Sequence, residues 1–107
     1  MRDPLEALKR ELRVFARRRG WQRYHTPKNL AMALSVETAE LVEIFQWLTP
    51  EQSRRLPPDE KRHLGEEIAD VLIYLTKIAD ACGIDMLEAV RDKMIKNAAK
   101  YPADPAA

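Results

Sequence analysis

The chain has 107 residues, 46% of them hydrophobic, and its 18 basic and 17 acidic side chains leave a net charge of +1. This length fits one domain, and the balanced charge excludes a protein that attracts nucleic acid through a strong overall field. A single cysteine excludes an internal disulfide framework, and three glycines argue against glycine-rich phosphate loops and hairpin-rich β folds. No apolar stretch is longer than five residues, the length of Val71 to Leu75, and five residues are too few to cross a bilayer. With a charged N-terminus that lacks a signal-peptide core, these features predict a cytoplasmic protein that binds neither membranes nor nucleic acid.

Apolar residues recur every three or four positions, which is the spacing of an amphipathic helix and not of a strand. Gly20 ends a first predicted helix, and Thr26 with Pro27 caps and begins a second. The inward faces of these helices are predicted at Leu5, Leu8, Leu12 and Phe15, and at Leu30, Leu34, Glu37, Leu41, Ile44 and Leu48. The second face is unusual because a glutamate lies at its centre.

The second half of the chain predicts a short helical turn and two further long helices. Thr49 and Gln52 form a capping box that opens the turn, and Gly83 ends the third long helix. The inward faces are predicted at Leu64, Ile68, Val71, Leu75, Ile78 and Cys82, and at Leu87, Val90, Met94 and Tyr101. Four helices with short connections predict an all-α fold, an antiparallel four-helix bundle. We expect one helical domain over residues 1–102 and a frayed tail over residues 103–107.

The third long helix is also apolar beside its inward face, at Leu72 and Ile73. We therefore expect this helix to be covered on two sides, which predicts that bundles assemble into a homo-oligomer.

Two pairs of acids stand three residues apart, Glu37 with Glu40 on the second helix and Glu67 with Asp70 on the third. This spacing places both members of a pair on one helical face, and antiparallel packing would bring all four carboxylates to one cleft. Two carboxylates about 6 Å apart repel by roughly 3 kcal/mol at an effective dielectric of about 20. The repulsion of several unrelieved pairs would exceed the stability of a small domain, so protons or cations must lie among them.

Oxygen ligands without His or Cys favour Mg²⁺, with Mn²⁺ as a substitute. A buried salt bridge to a base such as Lys93 is the structural alternative.

Aromatic and polar residues that could bind a nucleotide flank these acids. Aromatic rings suit stacking on a base, and His and Asn suit reading its edge, although a tryptophan beside a helix junction also suits a core role. The residues in question are Trp21, His25, Asn29, Trp47 and Tyr74. On the fourth helix, Lys93, Asn97 and Lys100 form a polar stripe that fits either phosphate oxygens or solvent.

Three blocks of sequence, in order, resemble the MazG-like nucleoside triphosphate pyrophosphohydrolases, and among them the dCTP pyrophosphatase branch. The blocks are Trp21-x-x-x-His25-x-Pro27-x-Asn29-Leu30, then Glu37-x-x-Glu40 through Trp47 with Glu67-x-x-Asp70 through Tyr74, and finally Lys93-Met94-x-x-Asn97-x-x-Lys100-Tyr101-Pro102. The resemblance runs from about Leu8 to Pro102, which is nearly the whole chain.

This resemblance implies hydrolysis of a nucleoside triphosphate, such as dCTP or a related pyrimidine nucleotide, to the monophosphate and pyrophosphate in nucleotide-pool sanitation. It implies an all-α pyrophosphatase fold that assembles as a dimer or tetramer, with some site residues contributed by a neighbouring chain. The catalytic and Mg²⁺-binding residues it implies are Glu37, Glu40, Glu67 and Asp70, and which acid is the general base stays open. Phosphate contacts are implied for Lys93, Asn97 and Lys100, and base or sugar contacts for Trp21, His25, Asn29, Trp47 and Tyr74.

Two other functions fit parts of the sequence. Glu60-x-x-His63 could belong to a di-iron carboxylate bundle, although His63 is expected about one turn before the acids. A non-enzymatic helical interaction module would instead hold the acids in salt bridges.

Overall fold

The computed structural model describes residues 3–106, so the first two residues of the predicted domain and the last residue of the predicted tail lie outside it. Its elements are α1 (Pro4–Arg18), a 3₁₀ turn (Gln22–Tyr24), α2 (Pro27–Phe45), the short α3 (Pro50–Ser53), α4 (Pro58–Ala81) and α5 (Met86–Lys100). Residues 3–106 contain no strand, which confirms the predicted all-α fold class. None of the helices in this range combines the length and apolarity that a membrane span requires.

The predicted helix boundaries rest on caps that the structure contains. Thr26 Oγ1 accepts a hydrogen bond from the Asn29 backbone N–H at 3.2 Å and starts α2. Thr49 and Gln52 form the predicted reciprocal capping box. Gly20 and Gly83 have φ of 65° and 66°, a left-handed conformation that glycine adopts without a steric penalty, and they follow the ends of α1 and α4.

The centre of the fold is the pair formed by α2 and α4, and α1 packs on the C-terminal part of α4. Two ionic contacts hold α1 in place. Arg13 forms a bidentate pair with Asp80 of α4, at 2.6 and 3.1 Å. Lys9 is buried, donates to the carbonyl of Ile84 at 2.5 Å and pairs with Glu6 at 2.7 Å.

The inward face of α4 differs from the prediction. Ile68 and Leu75, which were expected to face inward, are exposed, as is Leu72. The side chains that α4 buries or half-buries include Glu67, Asp70 and Tyr74 instead, and Thr76 and Ala79 are fully enclosed. The face against α2 is therefore rotated toward the acids, because α4 has apolar residues on two sides and only one of them is used within the chain.

The last helix also departs from the prediction. Leu87 is half-buried, but Val90, Met94 and Tyr101, which were expected to point inward, are exposed, and α5 has no buried residue. Consequently α5 does not close a bundle around α2 and α4 within one chain. Buried apolar side chains are few across residues 3–106: Ala16, Leu30, Ile44 and Ala79.

Candidate functional site

Three acids meet where α2 and α4 pack. Glu37 comes from α2, Glu67 and Asp70 come from α4, and one carboxylate oxygen from each lies within 4.8 Å of the others. Glu67 is buried and the other two are half-buried. Glu37 occupies this position because it lies on the apolar face of α2 between Leu34 and Leu41, which turns it toward α4.

Two oxygens of this cluster lack a hydrogen-bond partner. Glu37 Oε2 and Glu67 Oε2 are both buried with no donor within reach. Burial is the main cause that raises the pKa of Glu37 to about 7, followed by hydrogen bonding to Glu40 and the charges of Glu40, Asp70 and Glu67. Burial, then hydrogen bonding to Glu40, also raises the pKa of Glu67. The folded chain thus holds carboxylates in a position that disfavours their charged form.

Glu40 borders this group of three. It is half-buried one turn after Glu37, and its carboxyl acts on the pKa of both Glu37 and Glu67, although its oxygens lie outside the 4.8 Å group. All donors are oxygens, two of them buried and unpartnered, which is the donor chemistry that Mg²⁺ and Mn²⁺ accept. The residues present therefore fit a hard divalent cation.

His63 contacts the cluster, which the sequence reasoning missed. Its Nε2 lies 3.4 Å from Glu67 Oε1, and this is the one ion pair that the structure records for the cluster in residues 3–106. His63 lies one turn before Glu67, as expected, and that spacing of four residues on α4 is what lets the two side chains meet. The predicted alternative of a salt bridge to Lys93 was wrong, since no described contact joins Lys93 to these acids.

A second group of predicted residues lies near a cavity between α1, the 3₁₀ turn and α4, and His25 is the member of that group that lines it. The ring centroids of Trp21 and His25 lie 6.0 Å apart, and Trp21 meets Phe15 edge-on at 5.7 Å. His25 lines a cavity of about 190 Å³, and so does Lys77 of α4. Burial lowers the pKa of His25, and the charge of Lys77 lowers it further.

Asn29 and Tyr74 lie beside this cavity without lining it. The Asn29 side chain donates to the carbonyl of Tyr24 at 2.9 Å, so it braces the turn that carries Trp21 and His25. The ring of Tyr74, one turn after Asp70, has its centroid 5.9 Å from Lys77 Nζ. Lys77 was not among the predicted residues, because its position seven residues after Asp70 does not by itself distinguish it from a solvated lysine.

Four predicted residues are not brought to these two groups within one chain. Trp47 follows the C-terminal end of α2, opposite to the end that holds Trp21, and its side chain is 86% exposed. Lys93, Asn97 and Lys100 lie on α5 and are exposed. The described chain therefore joins the acids and the aromatic cavity through α4, and leaves Trp47 and the α5 stripe on its surface.

These features define a class of protein, an all-α domain with an oxygen-rich candidate metal centre between two antiparallel helices. The sequence pattern of the MazG-like family matches residues 32–107. The chain belongs to the MazG-like family, and the resemblance seen in the sequence is confirmed.

Proteins that are similar to this chain include pyrophosphatases. The chain is 42% identical over 100 residues to dCTP pyrophosphatase 1 of Mus musculus and 43% identical over 101 residues to dCTP pyrophosphatase 1 of Homo sapiens. These matches cover 92% of this chain, which spans 59% of the length of either relative. A pyrophosphatase from Archaeoglobus fulgidus, whose crystal structure is known, is 47% identical to this chain in sequence. The two structures superimpose with a TM-score of 0.88, and the match covers 96% of both chains.

Proposed function

We propose that this chain hydrolyses nucleoside triphosphates to the monophosphate and pyrophosphate, with dCTP or a related pyrimidine nucleotide as substrate. The observation that carries the proposal is the cluster of Glu37, Glu67 and Asp70 with two buried, unpartnered oxygens. The similarity to dCTP pyrophosphatases and to a crystallised pyrophosphatase supports it. Removal of unwanted nucleotides from the cytoplasmic pool is the role that such an activity would serve.

Glu37, Glu67 and Asp70, with Glu40 beside them, are the residues that would hold Mg²⁺. When bound, Mg²⁺ supplies positive charge that offsets the charge of the triphosphate and favours ionised water. The chain's own contribution is to keep these carboxylates together against their mutual repulsion. Loss of solvent and that repulsion together raise the pKa values of Glu37 and Glu67.

Glu40 is our candidate for the general base. It lies at the edge of the metal centre, outside the 4.8 Å group of the other three acids, so it would take a proton from the attacking water in addition to its part in holding the metal. The water oxygen then bonds to the α-phosphorus, the bond from that phosphorus to the bridging oxygen breaks, and pyrophosphate leaves.

The remaining predicted residues receive different roles in this proposal. Trp21 and His25 would lie against the base, and Tyr74 would lie between the base and the acids. Asn29 would act by bracing the turn that holds them. Trp47 and the α5 stripe of Lys93, Asn97 and Lys100 would reach the substrate of a second copy, since they are exposed in their own chain.

A homo-oligomer, either a dimer or a tetramer, is the assembly that we propose. Ile68, Leu72 and Leu75 leave an apolar stripe exposed along α4, and Met94 of α5 is 63% exposed. Exposed apolar area of this kind marks surfaces that pack against another chain. The few buried apolar side chains within one chain support the same proposal.

The test is a panel of purified triphosphates incubated with Mg²⁺, Mn²⁺ or a chelator, with every product identified. We expect monophosphate and pyrophosphate, formed fastest from dCTP and lost on chelation. Asp70→Asn should lower turnover at least a hundredfold, while Glu43→Gln, an exposed acid on α2, serves as the matched control. Diphosphate with orthophosphate as products would contradict attack at the α-phosphorus, and equal activity in Asp70→Asn would move the site elsewhere.

A further inference from the structure

Lys77 of α4 occupies an unusual position for a lysine. Its side chain is half-buried and lines the cavity that His25 and Gln22 also line. Its Nζ lies 5.9 Å from the ring centroid of Trp21 and 5.9 Å from that of Tyr74. An ammonium at this distance is at the outer limit of a cation–π contact. The two rings therefore flank the ammonium, and its three N–H donors stay available for hydrogen bonds.

No acid neutralises this ammonium in residues 3–106. Lys77 forms no described ion pair or hydrogen bond, and the nearby Asp80 is engaged by Arg13 at 2.6 Å. The half-buried position of Lys77 in the cavity removes part of the solvent from its charge, and this burial lowers the pKa of Lys77. A desolvated donor group of this kind gains free energy when an acceptor enters the cavity.

The position of Lys77 relative to the acids suits one end of a nucleotide. Seven residues separate Asp70 from Lys77, which places both on nearly the same face of α4, about 10.5 Å apart along its axis. This separation is on the scale of a whole nucleoside monophosphate, so one such molecule would extend from the acids to Lys77. The cavity of about 190 Å³ is large enough for one heterocyclic ring, since a cavity of about 150 Å³ holds benzene.

We infer that Lys77 determines base specificity by donating hydrogen bonds to a cytosine ring seated in the cavity beside Trp21 and His25. A lysine can only donate, and cytosine presents two neighbouring acceptors, O2 and N3, on one edge. Uracil and thymine carry an N–H at position 3, so the Lys77 ammonium would meet a second donor there and no acceptor. This inference rests on the proposed function, and it names the residue that would select among pyrimidine substrates.

The inference is tested with the intact protein by calorimetric binding of dCMP without Mg²⁺, and by steady-state kinetics with dCTP, dUTP and dTTP. Lys77→Met keeps the apolar stem over the rings and removes the charge, Lys77→Arg keeps a donor-only cation, and Lys61→Met is the control at an exposed position of α4. We expect Lys77→Met to weaken dCMP at least tenfold and to raise KM for dCTP similarly, with kcat changed less than about twofold. Lys77→Arg should retain part of the affinity, and Lys61→Met should match wild type.

Two further arms separate the base from the phosphates and do not depend on the variant alone. Inhibition by inorganic tripolyphosphate should be equal in wild type and Lys77→Met, and an equal loss of tripolyphosphate and dCMP affinity would overturn the inference in favour of a phosphate contact. The analogue 3-deaza-dCMP lacks the N3 acceptor, so it should bind wild type about tenfold more weakly than dCMP does. Unchanged affinity of wild type for this analogue would overturn the inference even if Lys77→Met fails to fold. A wild-type protein that binds dCMP and releases no pyrophosphate from dCTP would overturn the proposed function and leave the role of Lys77 standing.

Discussion

One carboxylate oxygen of Glu37 on α2 lies within 4.8 Å of one from Glu67 on α4, and each residue buries its Oε2 without a hydrogen-bond partner. Two full charges at that separation repel by about 3 kcal/mol at an effective dielectric of about 20. The packing of α2 on α4 therefore imposes a repulsion that only a proton or a cation relieves. Acids held together in this way favour binding of a ligand over stability of the free chain.

Replacing Glu37 with Gln should stabilise the metal-free protein and abolish its response to Mg²⁺. The amide removes one charge from the cluster at similar volume, so the Tm without metal should rise by about 5 °C at pH 8. We expect millimolar Mg²⁺ to raise the Tm of wild type and not that of Glu37→Gln, and we expect the proposed turnover to fall at least a hundredfold. Thermal unfolding followed by circular dichroism measures both effects. Glu43→Gln, exposed on the same helix, is the control, and a similar Mg²⁺ response in Glu37→Gln would contradict the ligand assignment.

The stability of the metal-free protein should fall as pH rises from about 4.5 to 7. The pKa of Glu37 is about 7 in the folded chain against an ordinary 4.5, so the folded chain keeps a proton that the unfolded chain has lost within this window. Folding therefore binds a proton there, and the free energy of unfolding decreases as the proton is withdrawn. Because a cation favours the ionised acids, the Mg²⁺-induced gain in stability should be larger at pH 8 than at pH 6.

Urea unfolding at several pH values, with Mg²⁺ and with a chelator, measures this dependence. Glu37→Gln should flatten the slope between pH 5 and 7, because it removes the group whose pKa is raised to about 7. A stability that instead increases through this window in the chelated wild type would show that the carboxylates are not held in mutual repulsion.

The acid cluster could be predicted from the sequence because a charged residue interrupts an apolar face. Leu34 and Leu41 fix the side of α2 that is buried, and Glu37 has no means of leaving that side without breaking helical geometry. The helix ends were equally predictable, since Thr26 and Gly83 act on the backbone next to them. These features depend on contacts between residues that are near in sequence.

The arrangement around the cluster could not be predicted from the sequence, because the spacing of apolar residues does not determine which face of a helix is buried. Apolar residues lie on two sides of α4, and the spacing alone does not say that Ile68 and Leu72 are exposed while Glu67 is buried. For the same reason the exposed Met94 of α5 was expected to face inward. Lys77 was missed because a lysine on a helix is ordinarily solvated, and only its place between two aromatic rings distinguishes it.

Lys9→Met should destabilise the fold more than Arg13→Met, although both lysine and arginine join α1 to the rest of the chain. Lys9 is buried and donates to the Ile84 carbonyl, so its loss leaves that carbonyl and Glu6 without their partner. We expect a cost of about 2 kcal/mol. Arg13 and Asp80 are partly exposed, so solvent screening limits their pair to about 1 kcal/mol or less.

Urea unfolding at pH 7 measures both costs, with Arg10→Met as the exposed control on α1. The pair with Arg13 holds the pKa of Asp80 below its ordinary 3.8, so its contribution is present above that pH and is lost as the pH falls further. The difference between wild type and Arg13→Met should therefore shrink toward pH 2. Equal stability of Lys9→Met and Arg10→Met would show that the buried ammonium is not needed.

Leu72→Lys should reduce the homo-oligomer that we propose to single chains. Leu72 lies in the middle of the exposed apolar stripe of α4, with Ile68 one turn before it and Leu75 one turn after it. A lysine there would place an unpaired charge in a surface that we propose is covered by a second copy, at a cost of several kcal/mol. Light scattering coupled to size-exclusion chromatography measures the mass, and Lys61→Asp provides a charge change at an exposed polar position of the same helix.

The single chains should also unfold at a lower temperature, because so few apolar side chains are buried within one chain. An unchanged mass in Leu72→Lys would show that the stripe does not form the interface, and the exposed faces of α5 would then be the surface to mutate next.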